Sequence, residues 1–258
     1  MTDASAANEP ERGRGDERED DDAHGSAAAF SRLGGEVRAA LSERGFETPT
    51  EPQRRAIPPL VDGEHVLVVA PTGTGKTETA MLPVFDALAD GPDDGGERFG
   101  IGALYVTPLR ALNRDMRERL DWWGDRLDLD VQVRHGDTTD YQRQQQADDP
   151  PDVLVTTPET LQAMLTGSKL RTALADVDHV VIDEVHELAA SKRGAQLSIG
   201  LERLRELADE FQCIGLSATV GDPDEVGRFL TGDRGCSVVA IDVGSRLNVR
   251  VESPEIRD

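Results

Sequence analysis

Residues 70–77 read Ala-Pro-Thr-Gly-Thr-Gly-Lys-Thr, a run whose residue types can cradle a phosphate chain. Gly73 and Gly75 permit a tight turn in which successive backbone N–H groups face anionic oxygens. Thr72 and Thr74 complete that loop, and a helix starting behind it aims its positive dipole end at the same anion. Lys76 can reach the β- and γ-phosphates of a nucleotide, and the Thr77 hydroxyl can bind Mg²⁺. The general pattern has glycine where Ala70 stands, so the spacing is matched but the first residue is not. A second run, His179-Val-Val-Ile-Asp183-Glu184-Val-His186, ends an apolar stretch in two carboxylates. Asp183 can hold Mg²⁺ through water, and Glu184 can orient and deprotonate an attacking water. Alone, such a pair is an ordinary solvated turn; beside a phosphate loop it becomes the second half of a phosphoryl-transfer site. His186 has no Cys/His companions for metal binding and reads as a hydrogen-bonding group near the γ-phosphate. Lys76, Asp183, Glu184 and His186 are therefore the catalytic candidates, with Thr77 and Asp183 the metal candidates and ATP–Mg²⁺ the expected cofactor.

These residues need a scaffold that gathers strand ends. Short runs rich in β-branched and other apolar residues occur at Val66–Ala70, Ala103–Thr107, Asp130–Arg134, Val153–Thr156, Val180–Asp183 and Gln212–Ser217. Each is bounded by Gly, Pro, Asp or Thr, as expected of buried parallel strands. Between them, Leu109, Leu112, Met116, Leu120 and Trp123 recur at helical spacing, as do Leu197, Leu201, Leu204, Leu207 and Phe211. Alternating strands and helices predict an α/β domain, a mainly parallel sheet with helices on both faces. In such sheets ligands bind at the carboxyl ends of the strands, where the phosphate loop and Asp183 both fall. Pro83 lies inside the helix after the loop and is expected to kink it or cost about 3 kcal/mol. The run Gly91–Gly100 (GPDDGGERFG) reads as a surface loop.

Composition bounds the remaining classes. The 258 residues carry 28 Lys plus Arg against 50 Asp plus Glu, a formal charge of −22. No apolar run approaches the ~20 residues of a membrane-spanning helix, two cysteines make no disulfide scaffold, and Met1 opens no signal-like stretch. A cytoplasmic protein without a membrane partner is expected. Residues 1–28 hold nine acids and three arginines and are expected to be a disordered acidic tail, leaving 29–258 for the folded domain. Arginine outnumbers lysine, which occurs only at positions 76, 169 and 192, and the acid excess runs throughout. That pattern resembles proteins of salt-loving organisms. At ~1 M salt the Debye length is about 3 Å, so the net charge says little against a nucleic-acid partner.

Five segments in order carry a family resemblance: Phe46-Glu-Thr-Pro-Thr-Glu-Pro-Gln53 ahead of the phosphate loop, Thr107-Pro-Leu-Arg-Ala-Leu-Asn113, Thr157-Pro-Glu159, Asp183-Glu-Val-His186 and Ser217-Ala-Thr219. Together with the loop they resemble the first RecA-like domain of superfamily 2 helicases of the DExH type, over roughly residues 30–258. Arg134-His-Gly-Asp-Thr138 and His186–Gly194 resemble the large helicase-related (Lhr) group of archaea and bacteria. The resemblance implies a RecA-like P-loop NTPase fold, an ATP-dependent helicase activity and a nucleic-acid partner, DNA rather than RNA. By it, Gln53 reads adenine. Thr107, Arg110, Gly136, Thr157 and Glu159 lie at the nucleic-acid backbone, and Ser217, Ala218 and Thr219 couple nucleotide state to movement. Phosphate contact is also expected of the local cluster Arg110, Arg114, Arg117 and Arg119, the alternative being a solvated helix face. Gln53 unpaired would be a helix-surface residue. Phe30 and Phe46 read as core, the alternative being packing on or near the base; Trp123 reads as core, the alternative being stacking on bases; Cys213 reads as core.

The resemblance also implies a second RecA-like domain, in cis or in trans, that closes on the nucleotide. The run Arg246–Pro254 reads as the strand and linker leading to it, so the chain is expected to hydrolyse ATP slowly by itself. A non-motor nucleotide-binding or regulatory module is the competing reading; a metabolic kinase lacks an acceptor-site sequence.

Overall fold

Seven short strands form one parallel sheet in the computed structural model, which describes residues 29–91, 99–108, 112, 114–167, 170–189, 191–218 and 220–241. The acidic tail, most of the 91–100 loop, Arg110, Thr219 and the 246–254 run lie outside the described residues. The strands are β1 (Val66–Val69), β2 (Ala103–Val106), β3 (Val131–Arg134), β4 (Val153–Thr156), β5 (His179–Ile182), β6 (Gln212–Ser217) and β7 (Ser237–Ala240). Their spatial order is β3-β4-β2-β5-β6-β1-β7.

Side chains alternate between the sheet faces with period two, and each face builds its own core. Val66, Val68, Tyr105, Val155, Val181 and Ile214 pack with α1 (Gly35–Glu43), α2 (Glu51–Val61), α3 (Lys76–Ala89) and α4 (Arg114–Leu127). Leu67, Val69, Leu104, Leu154, Val180 and Ile182 pack with α6 (Pro158–Thr166), α7 (Leu170–Ala173), α8 (Val185–Ala189), α9 (Lys192–Ala208) and α10 (Pro223–Thr231). The remaining helix, α5 (Asp140–Asp148), follows β3 and is capped by a reciprocal Thr139–Gln142 box.

The expected sheet is present, with three differences. The strand β7 had no distinct sequence signal, its four residues Ser-Val-Val-Ala following a Gly- and Asp-rich turn; it pairs with β1 at the sheet edge. The strand β3 was expected to be buried but is half-exposed along its length, because as the opposite edge it has a neighbour on one side only. The leucine stripe ending at Phe211 is not one helix: α9 stops at Ala208, Asp209 takes φ 54°, and Phe211 enters the core from the following turn beneath the Arg205 guanidinium. Helix α4 is described from Arg114, Leu109 lies outside the described residues, and Leu112 packs on the core. Helix α3 continues through Pro83, and the burial of its apolar face offsets the missing N–H. Phe30, Trp123 and Cys213 are core residues as expected, and Phe46 is partly buried with its ring stacked on Trp123 at 6.3 Å.

Candidate active site

The strand order places β5, β6 and β1 side by side, so the loops that leave their C-terminal ends share one edge. The phosphate loop leaves β1, Ser217 closes β6 and Asp183 follows β5. The Ala70 N–H donates to the Ser217 carbonyl at 3.1 Å and the Asp183 N–H to the Val106 carbonyl at 2.8 Å, extending the ladder into the site.

Gly73 and Gly75 have φ 79° and 83°, backbone that L side chains adopt at a cost. At Gly75 a Cβ would also lie 3.1 Å from the Gln53 amide nitrogen. The Thr74 hydroxyl donates to the Pro71 carbonyl at 2.8 Å and closes the loop on itself, while Thr72 faces solvent. Lys76 opens α3 and turns back, its Nζ donating to the Ala70 carbonyl at 2.7 Å and the Pro71 carbonyl at 3.1 Å. Burial lowers the pKa of this ammonium, against the opposing pull of Glu184 and Asp183. Lys76 and the two carboxylates therefore share one electrostatic site.

Asp183 accepts the Tyr105 O–H at 2.7 Å through Oδ2 and the Glu184 N–H at 2.8 Å through Oδ1. Burial still pushes its carboxyl above the usual range, although Tyr105, Glu184, Lys76 and His186 all act the other way. Glu184 is raised by burial and then by the negative Asp183 beside it, which makes it a better proton acceptor near neutral pH. Its φ of 50° is a left-handed conformation uncommon outside glycine. The His186 Nδ1 lies 3.4 Å from Glu184 Oε2 and accepts the Ala218 N–H, also at 3.4 Å. Accepting that N–H, Nδ1 has no proton for Glu184, so the imidazole is bonded to the Ser217-Ala218 segment and stands beside the carboxylate.

Gln53 is 1% exposed, so the helix-surface alternative is overturned. Its Oε1 accepts the Thr50 N–H at 2.8 Å in a capping box at the start of α2, and its amide sits beside Gly75. The other half of the same edge, from β2, β4 and β3, carries Thr107, Thr157 and Gly136 in neighbouring positions. Thr107 and Ser217 have buried hydroxyls with no hydrogen-bond partner among the described residues, each at a strand end of this edge. Thr157 caps α6, accepting the Thr160 N–H. A Cβ on the exposed Gly136 would meet nothing within 4 Å.

Glu159 is paired with Arg193; burial pushes its carboxyl up, but the Arg193 hydrogen bonds and charge, together with its own backbone N–H and Thr157, hold it below its usual pKa. The described arginines of the cluster, Arg114, Arg117 and Arg119, do not act as one. Arg114 pairs with Glu118 and Arg117 lies near Asp121 on the outer face of α4. Arg119 is a correction: it is neither a solvated residue nor a free phosphate ligand, because it grips the buried Glu78 in the first turn of α3. Sequence reasoning missed Tyr105, Glu78 and Arg193. For Tyr105 there was a signal, since a phenol inside an apolar strand needs a partner for its O–H.

A sequence profile described as DEAD/DEAH box helicase matches residues 50–226. The chain belongs to the DEAD/DEAH box helicase family. It is 40% identical over 227 residues to the ATP-dependent helicase Lhr-Core of Methanothermobacter thermautotrophicus, covering 82% of this chain and 26% of that protein. It is 42% identical over 222 residues to the Lhr helicase/probable uracil glycosylase of Mycolicibacterium smegmatis, covering 81% of this chain and 14% of that one. Among solved structures, that of Mycobacterium smegmatis helicase Lhr bound to ssDNA and AMP-PNP superposes with a TM-score of 0.75 at 40% identity, over 83% of this chain and 28% of that one. The fold is therefore the RecA-like helicase fold, and this family member spans about a quarter of the length of the Lhr-Core protein it matches.

Proposed function

We propose that this chain is the ATP-binding and hydrolysing half of a nucleic-acid motor, acting on DNA. The observation that carries the reading is the meeting of Lys76, Thr77, Asp183 and Glu184 at one sheet edge. The loop amides and Lys76 bind the phosphates, with Gln53 beside Gly75 placed toward the base. The donor set of Thr77 hydroxyl and Asp183 carboxylate suits a hard cation such as Mg²⁺. No group of three His, Cys, Asp or Glu among the described residues could cage a metal unaided, so phosphate and water oxygens complete the coordination. When bound, the cation neutralises charge developing on the transferred phosphoryl group. Glu184 takes the proton of the attacking water, and His186 relays the state of that carboxylate to Ala218 and the coupling segment Ser217–Thr219.

The DNA partner is supported by the ssDNA-bound Lhr structure at 40% identity, and by Thr107, Thr157 and Gly136 lining the neighbouring half of the edge. A second RecA-like domain, in cis or in trans, completes the motor; the relatives' greater length is consistent with it. The excess of acid and arginine fits a protein working at high salt.

The test is ATP hydrolysis by the chain in molar KCl, with and without single-stranded DNA, with Glu184→Gln as control. Slow hydrolysis abolished by Glu184→Gln supports the reading. Hydrolysis unaffected by that substitution overturns it, and robust duplex unwinding by the 258-residue chain would refute the need for a second domain.

A further inference from the structure

The phenol of Tyr105 is hydrogen-bonded to Asp183, one of the two candidate cation ligands. Tyr105 is the third residue of β2, fully buried, and stands in register with Val181 of β5, two residues before Asp183. Alternation along β5 puts Val181 and Asp183 on the same sheet face as Tyr105. There the phenol gives its single proton to Asp183 Oδ2 at 2.7 Å.

We propose that Tyr105 is a positioning residue that fixes the orientation of the Asp183 carboxylate for a divalent cation. The inference rests on the ATP–Mg²⁺ reading of this edge. Its chemistry follows from which atoms each hydrogen bond uses. Asp183 accepts one bond at each oxygen, from Tyr105 and from the Glu184 N–H, and retains lone pairs on both. The phenol thus ties the carboxylate at the end of β5 to β2 before any nucleotide arrives.

The experiment compares wild type with Tyr105→Phe, which keeps the ring and removes the hydroxyl. Mn²⁺ binding to the protein–ADP complex is followed by electron paramagnetic resonance, and metal-free ADP binding is measured in EDTA. Loss of an outer partner of a metal ligand weakens metal affinity about 10–100-fold. Tyr105→Phe is expected to weaken Mn²⁺ by that factor while leaving metal-free ADP affinity within about twofold. Equal Mn²⁺ affinity in the two proteins overturns the assignment. Failure of the wild type to bind ADP at all overturns the nucleotide reading, and the inference with it. A readout independent of any variant uses fluorotyrosine. The chain has two tyrosines, Tyr105 and the exposed Tyr141. Adding Mg²⁺ to the ADP complex is expected to move the fluorine resonance of Tyr105 and leave that of Tyr141. A stationary Tyr105 signal counts against the proposal.

Discussion

Replacing Arg119 by alanine strands a carboxylate at the start of the phosphate-loop helix. The Glu78 side chain is 7% exposed and that of Arg119 is 31% exposed. Removing one partner of a fully buried ion pair costs about 3–5 kcal/mol. Because Arg119 is one-third exposed, truncating it lets water reach Glu78, and the expected loss falls to about 2–3 kcal/mol. In a domain of this size each kcal/mol moves Tm by about 2–4 °C, so Arg119→Ala should lower it by roughly 4–12 °C. The pair Glu78→Gln/Arg119→Ala should recover part of that loss, with a coupling of about 1–2 kcal/mol in the double-mutant cycle. Unfolding followed by circular dichroism at low and at about 2 M KCl tests this, since a partly buried pair is screened less than an exposed one. The internal control is Arg114→Ala, whose partner Glu118 is 60% exposed and whose own side chain is 90% exposed; it should change stability by no more than about 0.5 kcal/mol. Equal effects of Arg119→Ala and Arg114→Ala, or strict additivity in the cycle, would refute the argument.

Three further outcomes follow from the site. Gly75→Ala forces a side chain onto φ 83° and against the Gln53 amide; a cost of about 1–2 kcal/mol and loss of nucleotide binding are expected, by thermal unfolding and fluorescent-nucleotide titration. Glu184 has its pKa raised by burial and by Asp183. Its stabilising contribution is therefore complete below the unfolded-state value and is lost as pH rises through the higher folded value. Glu184→Gln should accordingly raise Tm above wild type at pH 7, the gap closing as pH falls toward the ordinary glutamate range, and a gap that widens in acid would contradict the assignment. His186→Ala leaves the Ala218 N–H without its acceptor; ATP binding should persist while DNA stimulation of hydrolysis falls, read from steady-state rates with and without DNA.

What the sequence made legible is what its local spacing encodes. Lys76 and Thr77 sit in one continuous run, Asp183 to His186 in another, and the rule that parallel sheets collect strand ends sufficed to bring the two together. What stayed hidden depends on which strands become neighbours. Tyr105 meets Asp183 only because β2 lies beside β5, a pairing between residues 78 positions apart. Arg119 reaches Glu78 across 41 positions and Arg193 reaches Glu159 across 34. In the sequence each looked like an ordinary helix charge. The acidic character of the chain concealed these pairs further, because with 50 carboxylates no single arginine has an obvious partner.

The hold of Lys76 on two carbonyls of its own loop has a consequence for selectivity. Two of its three protons are already engaged, so for those a ligand gains only the difference between a neutral amide oxygen and what the newcomer offers. An uncharged nucleoside has nothing better to trade and leaves the lysine where it is. Only a polyanion makes the exchange favourable, so the loop discriminates by charge density before any part of the base is inspected.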